Sequence, residues 1–391
     1  MNEEACQKTT SIAAADALPF SHAWYSIHHQ MEAAVMKRYT LLLPLVVLVC
    51  QIACGPSQKK ITIAIMTKLQ HGSIVGSSEV NAARLFLEDR RLDDIEIYPI
   101  DDGWEVEKAR QAYHTIRQKG IDILITSHVS TCAVAISDSI NKDPVLAFVT
   151  GSTTDLLSNR DDNIFRNTQD VQHEQRSIAE YVKGTPYRQL LIIRDTANYA
   201  YTEPALKYFL QYLSRSDIPY RDIDINQLDL PALEKWYREI DFELVYLLIG
   251  GYKSNAGAIA QLIHQTRPAC RFLFTPWMKT PAILETAGDA IESCIMPSHY
   301  PPHGSNPNVD QYVARFKSRF GAPPTFISLN VYNALEILYT AIAAGHRQPA
   351  AIKRYLMDTR RFETTFGTVE FNEFGDVEAP LYFITDIAGE F

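Results

Sequence analysis

The sequence lacks the short motifs by which most cofactor-dependent enzymes are recognised. It contains no GxGxxG or P-loop for nucleotides, no GxSxG nucleophile elbow and no HExxH zinc motif. Its six cysteines include no CxxC pair, which leaves zinc and thioredoxin-type sites unsupported. The formal net charge is -9 and no Lys/Arg run could follow a phosphate backbone, which argues against a nucleic-acid partner. We therefore expect no cofactor, no metal and no catalytic residue.

One uncharged run near the N-terminus indicates export. Two positive charges precede Tyr39–Ala53, fifteen uncharged residues that end just before Cys54. This order is typical of a secretory signal, and the run is shorter than the roughly 20 apolar residues of a spanning helix. Cys54 follows a small residue and resembles the modified cysteine of a bacterial lipoprotein. We predict a lipoprotein signal over residues 36–54, with an uncleaved anchor as the alternative, and a spurious or disordered extension over residues 1–35.

After the signal, short apolar runs alternate with helical patterns. Several runs are almost continuously apolar, as strands covered on both faces must be. Between them, apolar residues recur at helical spacing, for example within Ala109–Ile116. Strands that alternate with helices predict parallel βαβ units. The predicted strands are Ile61–Met66, Ile95–Ile100, Ile121–Thr126, Val145–Val149, Leu190–Ile193, Tyr220–Ile225, Leu244–Ile249, Phe272–Phe274, Ile291–Met296 and Leu381–Thr385.

The strand–helix series occurs twice, which predicts two lobes. Asp161–Asp170 is polar and without period, and Ser298–Asn308 is dense in Pro, His, Asn and Gly, so both are interpreted as crossings between the lobes. Two α/β units joined by more than one crossing form a cleft with a hinge. The predicted bounds are 60–171 plus 299–379 for lobe 1, and 172–298 plus 380–391 for lobe 2.

Ligands of open parallel sheets bind beyond the carboxyl ends of the strands. In lobe 1 the loops at those ends carry His128, Ser130 and Thr131 after one strand, and Ser152 and Thr153 after the next. Hydroxyls and free N–H groups at helix N-termini suit a carboxylate or another anion. Helix capping also favours Ser and Thr, and it remains the alternative.

The corresponding loops of the other unit carry aromatic residues: Tyr199, Tyr201, Tyr252 and Trp277. Aromatic rings at a cleft supply apolar walls with a polar tip. Surface or hinge packing is the alternative for each ring. A metal pair of histidines in the Pro-rich crossing is disfavoured, because the prolines prevent a helical face.

Three cysteines, Cys132, Cys270 and Cys294, remain once Cys54 carries lipid. Cys270 and Cys294 both lie at or in predicted strands and could form a disulfide. Plain buried thiols are the alternative. The sequence leaves this choice open.

The order of these segments resembles the type I periplasmic binding proteins, specifically the leucine/isoleucine/valine-binding group that feeds ABC importers. The resemblance runs from Ile61 to the end of the chain. It is carried by Asn81–Arg84, Ile95–Asp102, the helix start at Ser130, Thr150–Thr153, Ile164–Arg166, Ile192–Asp195 with the Tyr199 region, Tyr246–Tyr252 and Gly367–Gly375. It implies an α/β fold of two Rossmann-like parallel-sheet lobes joined by a multi-strand hinge.

The resemblance also implies site residues. A serine and small residues of the first lobe hold the ligand carboxylate in this family, and Ser130, Ser152 and Thr153 stand in those places. A tyrosine of the second lobe closes over the ligand, which matches Tyr252 best, with Tyr199 or Tyr201 assisting. An acid near the first crossing matches Asp170. A second acid is replaced here by Trp277, which predicts an aromatic or less cationic ligand than an ordinary amino acid.

We therefore expect a periplasmic or cell-envelope solute-binding protein, anchored to the membrane through lipid on Cys54. It would capture an amino acid, amide or carboxylate and deliver it to an ABC permease, without chemistry on the ligand. A ligand sensor on the same fold is one alternative. An α/β hydrolase or oxidoreductase is another, although it lacks the expected motifs.

Overall fold

In the computed structural model, the described residues are 60–126, 129–214, 218–227, 234–235, 237–250 and 255–390. They belong to one compact unit, Lys60–Phe391. The predicted extension and signal, and the candidate residues Cys54, His128 and Tyr252, lie outside these ranges.

The first sheet has five strands, all parallel, in the order β2-β1-β3-β4-β5. Every residue of β3, β4 and β5 is buried, as expected for parallel strands with helices on both faces. Because β3 and β4 pair in parallel, their carboxyl ends are neighbours at the same end of the sheet. The strands are β1 Ile61–Thr67, β2 Ile95–Asp101, β3 Ile123–Thr126, β4 Leu146–Val149 and β5 Ile164–Arg166.

The second sheet has six strands in the order β13-β10-β9-β8-β6-β7. Its strands are parallel except for β13, which returns from the C-terminus and pairs antiparallel with β10. β11 and β12 form a separate antiparallel hairpin. The bounds are β6 Leu190–Arg194, β7 Tyr220–Asp224, β8 Leu244–Leu248, β9 Arg271–Leu273, β10 Cys294–Ser298, β11 Arg361–Thr364, β12 Gly367–Glu370 and β13 Tyr382–Ile384.

The described helices follow the strands in the predicted alternation. They are α1 Ile74–Arg90, α2 Val106–Gln118, α3 Ser130–Lys142, α4 Val171–Lys183, α5 Tyr199–Leu213, α6 Ala256–His264, α7 Ala282–Ala287, α8 Pro307–Phe320, α9 Phe326–Ala343 and α10 Pro349–Thr359. By length and composition α9 could cross a membrane, but 83% of its apolar window is buried inside the protein, as in a core helix.

The predicted α/β architecture is confirmed, with two corrections. Asp161–Asp170 is not purely a crossing, because its centre forms β5, where Ile164, Phe165 and Arg166 are all buried. β10 begins at Cys294 rather than Ile291, because Gly288–Ser293 forms a 3-10 helix. The cysteine alternative is also resolved, since Cys270 and Cys294 are free, buried thiols.

The core of the second sheet extends across to helices of the first. Val75 at the start of α1, and Phe326 and Ile327 at the start of α9, pack into the cluster built around β6, β8, β9 and β10. The helices α1 and α9 otherwise pack on the first sheet through a second cluster. The two lobes therefore touch through apolar side chains as well as through the chain crossings.

Candidate functional site

The hydroxyl-bearing residues of the first lobe meet at one sheet edge, as predicted. α3 begins at Ser130, directly beyond β3, and the loop beyond β4 carries Ser152 and Thr153. All three residues are buried, and Ser152 Oγ donates a hydrogen bond to Ser130 Oγ at 3.1 Å. The buried Thr153 Oγ1 has no hydrogen-bond partner among the described residues. A buried hydroxyl without a partner in the protein is suited to a polar ligand.

Thr131 reaches across to the second lobe. Its backbone N–H and its hydroxyl both donate to Asn198 Oδ1, at 3.4 Å and 3.3 Å. Asn198 in turn donates from Nδ2 to the carbonyl of Gly250 at 2.8 Å, beyond β8. A second contact between the lobes joins the hydroxyl of Tyr208 to Asp155 Oδ2 at 2.9 Å. Side chains of the two lobes thus form direct hydrogen bonds to each other.

The predicted aromatic residues have different environments. Tyr199 begins α5 and is 58% exposed, whereas Tyr201, in the first turn of the same helix, is buried. Trp277 lies in the 3-10 turn beyond β9 and is also buried, with its ring edge-on to Tyr201 at 6.2 Å between centroids. The structure therefore brings Tyr201 and Trp277 together, and places Tyr199 on the surface.

Asp170 caps the N-terminus of α4. Its Oδ1 accepts hydrogen bonds from the N–H of His173 at 3.0 Å and from His173 Nδ1 at 2.7 Å, and its Oδ2 accepts from Ser158 Oγ at 3.3 Å. Burial alone would raise the pKa of Asp170, but the hydrogen bonds from His173 outweigh it and the pKa is lowered. Both carboxylate oxygens thus have partners in the protein, and a role for Asp170 in holding a ligand stays a prediction.

A buried acid that the sequence analysis overlooked lies one turn further along α4. Glu174 is completely buried, and its Oε1 accepts from the hydroxyl of Tyr201 at 2.7 Å and from Gln175 Nε2 at 3.0 Å. Its Oε2 has no hydrogen-bond partner in the described part of the chain. Burial raises the pKa of Glu174 to about 7. The sequence did contain a signal for this buried acid. Glu174 lies three residues after Val171, at a position of α4 where the helical pattern favours an apolar residue.

His299, beyond β10, faces this acid. Its Nε2 lies 3.8 Å from Glu174 Oε2, which is too long for a hydrogen bond. Neither ring nitrogen has a partner among the described residues, and burial lowers the pKa of His299 to about 4. The ring packs against Trp277 at 5.3 Å and against Phe326 of α9 at 6.1 Å. His299 is therefore packed between the rings of Trp277 and Phe326, with the Glu174 carboxyl beside it.

His303 does not join His299. It is exposed and its Nδ1 lies 2.8 Å from Asp310 Oδ1. Within the described ranges, no three His, Cys, Asp or Glu side chains are grouped so that they could hold a metal ion.

This arrangement is that of a binding protein with two lobes, and sequence comparison agrees. The family model described as periplasmic binding protein matches residues 61–387. The chain belongs to this family, and its predicted resemblance to the leucine/isoleucine/valine-binding group is confirmed. Family and fold are those of solute-binding proteins and place the chain outside the cytoplasm.

Individual relatives have low sequence identity to this chain, but the similarity covers most of each chain. The chain is 22% identical to Leu/Ile/Val-binding protein homolog 3 of Brucella melitensis over 72% of this chain and 77% of the relative. The isoleucine complex of the LivJ substrate-binding protein from Streptococcus pneumoniae matches with a TM-score of 0.73 and 18% identity, over 84% of this chain and 96% of that one. A solute-binding protein from Rhodopseudomonas palustris in complex with 3,4-dihydroxybenzoic acid matches with a TM-score of 0.73 and 13% identity, over 83% and 93%.

Proposed function

We propose that this protein captures a small carboxylate-bearing molecule between its two lobes and delivers it to an ABC importer, without chemistry on the ligand. The observation that carries the proposal is the buried Thr153 hydroxyl, which has no partner among the described residues and follows Ser152, whose hydroxyl donates to Ser130 at the N-terminus of α3. Together with Ser130 and Ser152 it offers donors at a positively polarised helix end, which favours an anion.

The ligands named for the two structural neighbours support a carboxylate. Isoleucine and 3,4-dihydroxybenzoic acid both carry one, although they differ in everything else. A shared carboxylate site with a variable remainder of the pocket would explain how one fold serves both. In this chain Tyr201 and Trp277 would shape that remainder beside Thr131. His128 and Tyr252 lie outside the described residues, and their roles stay predictions from the sequence.

The proposal extends to the cell envelope. Lipid on Cys54 would keep the protein near its permease, and more than one acyl chain is needed because a single chain binds a membrane only marginally. The predicted hinge would separate residues 60–171 plus 299–379 from residues 172–298 plus 380–391. Closure would then present a new surface to the permease only when ligand is bound.

Calorimetry with a panel of amino acids, amides and aromatic or aliphatic acids tests the proposal. Thr153→Ala should weaken carboxylate binding about tenfold or more, because it removes a hydrogen bond to a charged group. Ser139→Ala is the matched control, since Ser139 is exposed on the same helix as Ser130. A folded protein that binds no member of the panel would rule the proposal out.

A further inference from the structure

The chain passes from the first lobe to the second just before α4, and does so again near the C-terminus. The first of these crossings is short, because Arg166 ends β5 of the first sheet and Val171 already belongs to the core of the second lobe. The C-terminal crossing lies between Val377, in the core of the first lobe, and Leu381, which packs on the core of the second. Motion of one lobe against the other must be absorbed by such crossing segments.

His173, in the first turn of α4, contacts one acid at each of these two crossings. Its Nδ1 lies 2.7 Å from Asp170 Oδ1, and its Nε2 lies 2.9 Å from Glu378 Oε1. An ionised carboxylate only accepts hydrogen bonds, so both ring nitrogens must carry a proton if both bonds are to form. A neutral ring has one N–H and can serve only one of the two acids. The arrangement therefore requires a positively charged imidazolium.

Asp170 also links this ring to the first lobe. Its Oδ2 accepts from Ser158 Oγ at 3.3 Å, and Ser158 Oγ accepts from Arg166 Nη2 at 2.6 Å. Arg166 donates in turn to Asp376 at 2.7 Å. The ring thus lies at the end of a polar network that is otherwise built on the first lobe, while α4 itself packs in the second.

We propose that His173 is a proton-dependent clamp on the hinge, which joins the two crossings and favours the arrangement of the lobes seen in the structure. The clamp regulates closure, and its effect on ligand capture rests on the proposed function. When the ring loses one proton, the remaining N–H can stay on Asp170, which also caps α4. The Nε2 lone pair then faces the Glu378 carboxylate and repels it, so the C-terminal crossing is released.

The environment of the ring sets the direction of the pH dependence. The hydrogen bond to Asp170 raises the pKa of His173 above its ordinary value of 6.5; burial opposes this shift, the charges of Asp170 and Glu378 add to it, and Arg176 reduces it. The stabilising effect of the clamp is therefore complete below about pH 6.5 and is lost as the pH rises through the raised pKa. Because the Glu378 side chain is 72% exposed, the closure equilibrium should change by only about three- to fivefold.

Other ionisable groups lie near the pair, so pH alone does not identify the responsible residue. Burial raises the pKa of Glu174 to about 7, which places its titration in the same range. The test must therefore compare variants at each pH. The titratable and charged groups around His173 and Asp170 are Glu378 in the C-terminal crossing, Glu174 and Arg176 on α4, Arg166 on β5 and Tyr208 on α5.

Nuclear magnetic resonance of the histidine-labelled full chain measures the pKa of His173 directly, with its signal assigned by loss in His173→Gln. We expect a pKa above 6.5 that falls in Glu378→Gln, because one of the two acids is removed. Glu373→Gln is the matched control, since Glu373 is an exposed acid of the same C-terminal segment, and it should leave the pKa unchanged. A pKa at or below 6.5, or one that Glu378→Gln does not lower, would overturn the clamp.

Small-angle scattering of the ligand-free protein at about pH 5.5 and about pH 8.5 tests the effect on the lobes. The radius of gyration should be larger at the higher pH. His173→Gln should remove this difference, because glutamine takes up no proton, and so should Glu378→Gln, an exposed change that leaves folding intact. His114→Gln, at an exposed position of α2, should keep the difference. A wild-type radius that does not change with pH, or a change that persists in His173→Gln, would refute the proposal.

Binding measurements separate the clamp from the proposed function. Isoleucine, 3,4-dihydroxybenzoate or any other compound of the panel that binds should do so about three- to fivefold more tightly at the lower pH. The same ratio in His173→Gln would show that the clamp does not control capture and would overturn it, with solute binding intact. If no compound binds, the proposed function fails, while the resonance and scattering results still decide whether the clamp exists.

Discussion

Replacing Asp376 with asparagine should destabilise the protein strongly, because it breaks a buried ion pair. Arg166 is 0% exposed and donates from Nε to Asp376 Oδ1 at 2.7 Å. The remaining guanidinium hydrogen bonds go to the carbonyl of Thr154 at 2.9 Å and to Ser158 Oγ at 2.6 Å. Since arginine cannot give up its proton, the variant leaves a buried charge uncompensated. The expected loss is roughly 3 to 5 kcal/mol in the free energy of unfolding.

The pair also connects distant parts of the first lobe. The N–H of Arg166 in β5 donates to the carbonyl of Gly375 at 3.0 Å, so the C-terminal turn is tied to the edge of the sheet. Asp376 Oδ2 accepts from the N–H of Asn159 at 2.9 Å. The loop beyond β4, which carries the candidate carboxylate site, is thus fixed at its far end by both partners. Ligand affinity should fall together with stability.

Urea unfolding of the full chain, followed by circular dichroism, measures the effect. Glu88→Gln is the matched control, because Glu88 forms a bidentate but exposed pair with Arg319, at 2.8 Å and 2.9 Å. Breaking an exposed pair should cost less than about 1 kcal/mol. If Asp376→Asn were no more destabilising than Glu88→Gln at an unchanged m-value, the argument from burial would be wrong.

Three other changes have defined outcomes. Asn198→Ala removes the acceptor of both Thr131 hydrogen bonds, so the closed state should lose about 1 kcal/mol or more of stability relative to the open state. Ligand binding should weaken, and small-angle scattering should show a larger radius of gyration without ligand. Gly250→Ala would drive a methyl group into the ring of Tyr201 and should cost about 1 to 3 kcal/mol by urea unfolding. The thiol of Cys270, whose pKa burial raises to about 12, should resist iodoacetamide in the folded protein and react in urea, as read by peptide mapping.

The sequence was sufficient for the sheet architecture because its strands are marked by local patterns. Runs such as Leu190–Ile193 and Leu244–Ile249 are apolar throughout, and burial on both faces requires that. β5 was missed for the opposite reason. It has three residues, one of them Arg166, and the charge of that arginine is offset by Asp376, far away in the chain.

The candidate site also contains residues that the sequence could place and one that it could not. Ser130, Ser152 and Thr153 could be placed together from sequence, since they follow adjacent parallel strands. Glu174 could not, because its partner Tyr201 and the neighbouring His299 come from other elements, and only the folded chain brings them near. Helical periodicity marks Glu174 as buried, but it does not reveal what compensates the charge.

The unpaired Thr153 hydroxyl gives the proposed ligand a way to control closure of the lobes. The hydrogen bonds that join the lobes directly, Thr131 to Asn198 and Tyr208 to Asp155, are worth about 1 kcal/mol each. Against them stands the cost of burying Thr153 Oγ1 and Glu174 Oε2 without partners. Under the proposed function, a ligand that satisfies Thr153 Oγ1 turns that part of the cost into affinity. If it also contacts the second lobe, it binds the closed state more tightly than the open state, which is the differential binding that a closure equilibrium requires.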